Sequence, residues 1–323
     1  MHVTVVGAGV AGLVAATTLA ERGATITILE RGSTIGSSAC SWFAGGMLAP
    51  WCERESAEQP VLDLGRMALH WWPKHFAGTV LKGTLVVASA RDATELQRFS
   101  RRTDSFAKVD ADEIAALEPD LAGRFRSGLF FAHEGHLDPR EALSSLAGDL
   151  VARGVDLRLG TEADATAIGA DAIVDCRGLA SRDRLGTLRG VRGEMLVVRT
   201  PEISLARPIR FLHPRFPLYI VPRTDHRFMI GATMLESDHR GPVTVRSAME
   251  LLNAAYALHP AFAEAEILEF GADVRPAFPN NLPQVVRQGR TTHLNGLFRH
   301  GFLLSPALAQ QAADAVLLSE VTT

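Results

Sequence analysis

A short β-branched run, Val3 to Val6, leads directly into Gly7-Ala8-Gly9-Val10-Ala11-Gly12, and this junction constrains the fold more than any other stretch. The helix-forming residues Leu13 to Arg22 follow, Gly23 closes them as a C′ residue, and a second β-branched run, Thr25 to Leu29, ends at Glu30. This is a βαβ unit within about 30 residues. Each glycine of the G-x-G-x-x-G pattern has a physical reason. Gly7 permits the tight turn, Gly9 lets the backbone approach a pyrophosphate, and Gly12 lets helix and strand pack closely. The helix N-terminus offers free N–H groups and a positive dipole end to phosphates. Glu30, an acidic residue about 20 positions on, can accept hydrogen bonds from ribose hydroxyls.

The rest of the chain extends this pattern. Helices are expected over Asp63 to His75, Asp110 to Pro119, Pro139 to Arg153, Val243 to Leu258 and Pro306 to Ser319. Thr84 to Ala88 reads as a strand, and Ala172 to Asp175 as another that leads into Arg177-Gly178. Met195 to Val198, Leu218 to Val221 and Phe228 to Ile230, separated by Pro, Arg, His and Asp clusters, predict an antiparallel sheet, and Ile267 to Val274 adds a strand. The expected fold is therefore α/β. A Rossmann-like cofactor-binding domain (1–75, 136–190 and 266–323) is interrupted by an α+β substrate-binding domain with an antiparallel sheet (76–135 and 191–265).

With 47% hydrophobic residues the chain has material for a core, which argues against disorder. Its 33 basic and 36 acidic residues give a net charge of −3, which excludes a broad basic surface for nucleic acid. No uncharged apolar run reaches the ~18 residues needed to span a bilayer. The three cysteines read as reduced thiols, and no basic leader precedes the first strand, so a cytoplasmic protein is expected.

The glycine motif does not choose between NAD and FAD. The segment Ser37 to Pro50 favours a flavin, because its small residues let a backbone lie flat against a large planar ring. There is also no second G-x-G-x-x-G for a separate nicotinamide domain. His133 and His136 have an H-x-x-H spacing but no third ligand nearby, so no metal is expected. No G-x-S-x-G elbow supports a hydrolase. Cys40 reads as a small buried thiol. Taken alone, Arg275 could be a solvated arginine, Tyr219 a half-buried strand tyrosine and Met234 a core residue.

These residues together resemble the D-amino-acid-oxidase superfamily of flavoproteins, and most closely the glycine oxidase branch of thiamine biosynthesis. The resemblance runs over nearly the whole chain: Val5 to Gly12, Ser41 to Pro50, Leu117-Glu118-Pro119, Glu134 to Arg140, Asp175 to Gly178, Arg192 to Met195, Tyr219 to Arg223, Ile230 to Glu236, Val274-Arg275-Pro276 and Phe298 to Pro306. It implies non-covalent FAD held by Gly7, Gly9, Gly12, Glu30, Arg31, Ser38, Gly45, Gly46, Met47, Gly178, Gly301, Phe302 and Leu303. Some relatives tether flavin through a late cysteine, and this chain has none after Cys176.

The resemblance also implies substrate roles. Arg275 would pair with the substrate carboxylate, Tyr219 would donate to it, Met234 would line the side-chain end, and Arg299 would add positive charge near the flavin. The helix starting near Pro306 would face the pyrimidine edge of the flavin. The implied reaction is oxidative deamination of glycine or a similarly small amino acid to the imino acid, then to the 2-oxo acid and ammonia. Oxygen is reduced to hydrogen peroxide, and iminoglycine would supply the thiazole of thiamine. The alternatives are an oxidase or dehydrogenase of D-amino acids or sarcosine, and a non-catalytic flavin-binding component. A homo-oligomer is implied by analogy. Departures from the family pattern are the short chain, Asn280-Asn281-Leu282-Pro283 at a turn, and Arg177 in place of a small residue.

Overall fold

The structure, a computed structural model, describes residues 1–163, 169–213, 215 and 217–318. A six-stranded sheet runs in the order Gln284–Gln288, Thr291–Asn295, Ala172–Asp175, His2–Val6, Thr25–Leu29 and Asp156–Arg158. All neighbours are parallel except the Gln284–Gln288/Thr291–Asn295 hairpin. Central parallel strands are buried on both faces, which is why they read as β-branched runs rather than alternating patterns. Val6 pairs with both Leu29 and Asp175, so three strands end level. A crevice outside the carboxyl ends of such strands is where ligands bind in open α/β sheets.

The helix Val10–Glu21 is apolar nearly all round and packs against the last helix, Gly301–Leu317. That last helix begins five residues before the expected Pro306, while Ser319 of the expected span lies outside the described residues. The proline is accommodated for a specific reason. It cannot donate to the carbonyl four residues back, that of Phe302. The buried Trp72 indole N–H donates to that carbonyl instead, at 2.7 Å. Trp72→Phe should leave the carbonyl without this donor and open a small void, lowering stability by at least ~2 kcal/mol. Urea unfolding checks this, and a loss near zero would mean another donor replaces the indole.

The expected helix from Asp63 to His75 is two helices, Gln59–Gly65 and Ala68–His75. The first presses Gly65 against the last helix: a Cβ there would lie 2.8 Å from the Leu303 side chain. The short helix Ala111–Leu117 carries a capping box between Asp110 and Glu113.

The larger sheet has nine strands. Its main path is Leu235–Glu236, Arg189–Arg199, Arg227–Gly231, Leu218–Pro222, Ile209–Phe211, Thr84–Val87, Ser127–Phe131 and Ala107–Asp110. The strand Glu266–Ala277 pairs antiparallel with Arg189–Arg199 along nearly its whole length, with Val191 opposite Arg275. This pair reaches from the larger sheet to the edge of the crevice. Arg192 and Glu194, both fully buried, brace it. The Arg192 guanidinium donates to Glu194 at 2.8 Å and to the carbonyls of His239, Gly241 and Pro242. Among the described residues no helix is long and apolar enough to cross a membrane, and no group of three or more His, Cys, Asp or Glu could hold a metal.

Candidate active site

A cavity of about 600 Å³ runs from the level strand ends to the larger sheet. At its first end the three motif glycines differ in what surrounds them. Gly7 has φ +100°, and a Cβ there would meet the Cys176 carbonyl at 2.7 Å. A Cβ on Gly12 would lie 1.8 Å from the Gly7 oxygen. Both are therefore demanded by the protein's own packing. Gly9 is not: its nearest would-be contacts, Ala39 and Ser41, are 3.4 Å away. The space beside it opens into the cavity at the N-terminus of the helix Val10–Glu21, where phosphate oxygens are favoured.

The buried Glu30 carboxylate accepts from the Ala8 and Gly32 N–H groups at 2.7 Å each and from the Ser38 hydroxyl at 2.5 Å. Ser38 thus braces Glu30, and Arg31 sits exposed at the rim. Gly178 also faces open space, with Pro276 the nearest would-be contact at 3.9 Å. The Asn295 amide holds its carbonyl at 2.9 Å. Arg177, the departure in this loop, folds back onto Asp175 at 2.9 Å and Asp183 at 3.0 Å. Although burial alone would raise the Asp175 pKa, bonds from His293 and Arg177 hold its carboxyl well below the usual range. The long side chain, at the cavity wall, is held by these two internal ion pairs.

The middle of the cavity is lined by Gly45, Gly46 and Met47 on one side and Gly301, Phe302 and Leu303 on the other. The first turn of the last helix carries N–H groups without intrahelical acceptors and the positive end of its dipole. The dipole end therefore lies at Gly301 and not at Pro306. The Gly45 loop is held from outside by Arg223, which donates to the Gly45 carbonyl at 2.8 Å and the Leu137 carbonyl at 3.1 Å and pairs with Asp138. This set of residues fits a dinucleotide carrying a flat ring: a glycine opening at a helix N-terminus, a carboxylate level with it, and a small-residue loop facing a second helix N-terminus.

At the far end stand Tyr219 and Arg275. A Cβ on Gly45 would come within 2.6 Å of the Tyr219 ring, and one on Gly193 within 2.0 Å of the Arg275 guanidinium. Those glycines are what allow both polar groups into the wall. Arg275 donates to the Thr233 carbonyl at 3.1 Å, and no carboxylate among the described residues pairs with it. Burial lowers its pKa and raises that of Tyr219, whose phenol stays protonated. Met234 is 58% exposed, at the mouth.

Arg299 also lines the cavity, but its charge is matched. It donates to Glu53 at 2.5 Å and to the Ser56 hydroxyl at 2.7 Å. The same carboxylate accepts from Arg210 at 3.0 Å and lies 3.5 Å from His300 Nδ1. Burial would raise the Glu53 pKa, yet Arg299 and Arg210 hold it well below the ordinary value. Burial pushes the His300 pKa down to about 3, so the imidazole is neutral. The sequence reading assigned no role to Glu53, Arg210, His300 or Arg223. Arg210 did carry a signal: an arginine between Ile209 and Phe211 in a short apolar strand needs a buried partner.

The chain is 59% identical to a Rhizobium etli protein named for a thiamine biosynthesis oxidoreductase, ThiO, over 99% of this chain and 98% of that one. It is 26% identical to a glycine oxidase of Bacillus licheniformis, over 99% of this chain and 94% of that one. The crystal structure of glycine oxidase from Geobacillus kaustophilus superposes with a TM-score of 0.84 at 26% identity, covering 97% of this chain and 94% of that chain. Residues 2–315 match the DAO family model, FAD dependent oxidoreductase, so the chain belongs to that family and is an FAD-dependent enzyme.

Proposed function

We propose that this enzyme oxidises glycine, or an amino acid of similar size, at its α-carbon. The imino acid formed is hydrolysed to the 2-oxo acid and ammonia, or is passed on as iminoglycine toward the thiazole of thiamine. The observation that carries the reading is Arg275. It is a half-buried guanidinium with one backbone bond and no ion-pair partner among the described residues, set beside a protonated Tyr219 in the wall of the cavity. An unpaired cation lining a cavity favours an anion there, and a planar guanidinium can bind both oxygens of a carboxylate. The relatives named as glycine oxidases and as a thiamine biosynthesis oxidoreductase support the same choice.

Glu30 and the opening at Gly9 would hold the dinucleotide part of FAD, with Gly45 to Met47 and Gly301 to Leu303 against its ring. Bound FAD supplies the two-electron acceptor for the substrate, with oxygen as the final acceptor and hydrogen peroxide as product. The protein's part is positioning and charge. Arg275 and the Tyr219 hydroxyl fix the carboxylate and so set the direction of the Cα–H bond. The three thiols, none of them in a disulfide, support a cytoplasmic setting.

Anaerobic bleaching of the flavin, followed by peroxide release on admitting air, tests the proposal with glycine, sarcosine, D-alanine and D-proline in parallel. Bleaching by glycine with peroxide on reoxidation is expected. Bleaching without peroxide would point to a dehydrogenase with another acceptor. Bleaching by none would remove the substrate assignment and leave the FAD fold.

A further inference from the structure

Three guanidiniums of the cavity wall act on Tyr219, those of Arg275, Arg299 and Arg210, and of these three only Arg275 has no carboxylate partner among the described residues. Arg299 and Arg210 converge on the single carboxylate of Glu53, at 2.5 and 3.0 Å, and Arg299 is further fixed by Ser56. Arg275 lies in the same cavity wall with the Thr233 carbonyl as its protein partner. Glu53 is the C-terminal residue of the one-turn helix Pro50–Glu53, which directly follows the Gly45–Leu48 loop, so its carboxylate is set by the same backbone that shapes the middle of the cavity. Two cations competing for one anion would by themselves attract a second anionic group. A carboxylate already seated between them halves their net positive charge, occupies their donors and repels a newcomer at close range.

We propose that Glu53 is a specificity-determining residue that restricts this site to substrates with one carboxylate, by engaging both Arg299 and Arg210, halving their net positive charge and leaving Arg275 as the one cation beside Tyr219 without a carboxylate partner. The proposal rests on the reading of Arg275 as the carboxylate anchor. It assigns Arg299 a role different from holding the substrate directly: its positive charge is directed at Glu53. The neutral His300 beside this carboxylate adds no charge to the balance. Discrimination of this kind uses repulsion of the wrong ligand as well as attraction of the right one.

The test compares holoenzymes of wild type, Glu53→Gln, Glu53→Asp and Arg299→Gln by two readouts. Calorimetric titration with acetate and with malonate gives the ratio of their dissociation constants. Steady-state kinetics gives kcat/KM for glycine against the better of iminodiacetate and D-aspartate. Glu53→Gln should shift both ratios toward the dicarboxylate by about tenfold or more, which corresponds to about 1.4 kcal/mol. Glu53→Asp should restore most of the preference for one carboxylate. Arg299→Gln should move the ratios the opposite way, because the Arg210–Glu53 pair that remains carries no net charge to attract a second carboxylate. A role in packing alone would weaken all ligands together and leave the ratios unchanged, which would overturn the proposal. If Glu53→Gln does not fold, Arg299→Gln and Glu53→Asp decide it by the same ratios. Should the wild type oxidise no amino acid yet prefer acetate to malonate in a Glu53-dependent way, the substrate reading fails and the charge rule stands. Oxidation of glycine with ratios insensitive to Glu53 gives the reverse.

Discussion

Arg275→Met is expected to lower kcat/KM for glycine between about thirtyfold and a few thousandfold, the range that follows from losing about 2–5 kcal/mol of a buried charge pair. Most of the loss should appear in KM, because the carboxylate is bound in the ground state as well as in the transition state. The flavin should remain bound, since the residues proposed to hold it lie along the strand ends and the last helix, on other elements than Arg275. Thermal stability without substrate should rise. The wild-type protein holds a partly desolvated cation against Gly193 with one backbone hydrogen bond to offset its desolvation, and a methionine removes that cost. Steady-state kinetics, the visible flavin spectrum and a melting curve on one preparation check all three. A variant that lost flavin while keeping KM would contradict the assignment.

Gly9→Ala and Gly12→Ala should fail in different ways, although they lie in one motif. Gly12→Ala should not give folded protein, because its methyl would lie 1.8 Å from the Gly7 carbonyl oxygen and neither backbone can move without separating strand from helix. Gly9→Ala should fold, as its methyl meets nothing closer than 3.4 Å. It should bind FAD about tenfold to a hundredfold more weakly, since one extra methyl in a closely fitted contact costs about 1–3 kcal/mol. Circular dichroism of the apoproteins separates the folding outcomes, and flavin fluorescence titration measures the affinity. If Gly9→Ala bound FAD normally, the opening beside Gly9 would not be the pyrophosphate site.

The βαβ unit was legible because every signal in it is local. The strand His2–Val6, the glycine turn, the helix and the strand Thr25–Leu29 were read within a residue or a few of their ends. The last helix was misplaced at its start because a proline normally opens a helix. Here the compensating donor, Trp72, is 230 residues away from Phe302. The expected single helix before Thr84 is broken where Gly65 meets Leu303, again a partner far along the chain.

The candidate site shows the same division. Periodicity and glycine spacing by themselves determined a dinucleotide-binding α/β unit, and the motif resemblance marked Arg275, Tyr219, Met234 and Arg299 as residues to find near one another. Which arginine is free and which is neutralised was decided only by the tertiary structure. Glu53 and Arg299 are 246 residues apart, and Glu53 and Arg210 are 157 apart. Hydrophobic pattern and turn chemistry report what a residue does within its own element, over a few positions. Charge balance in a cavity depends on side chains from separate strands and loops brought together in a poorly solvated space, and chain spacing carries no information about that.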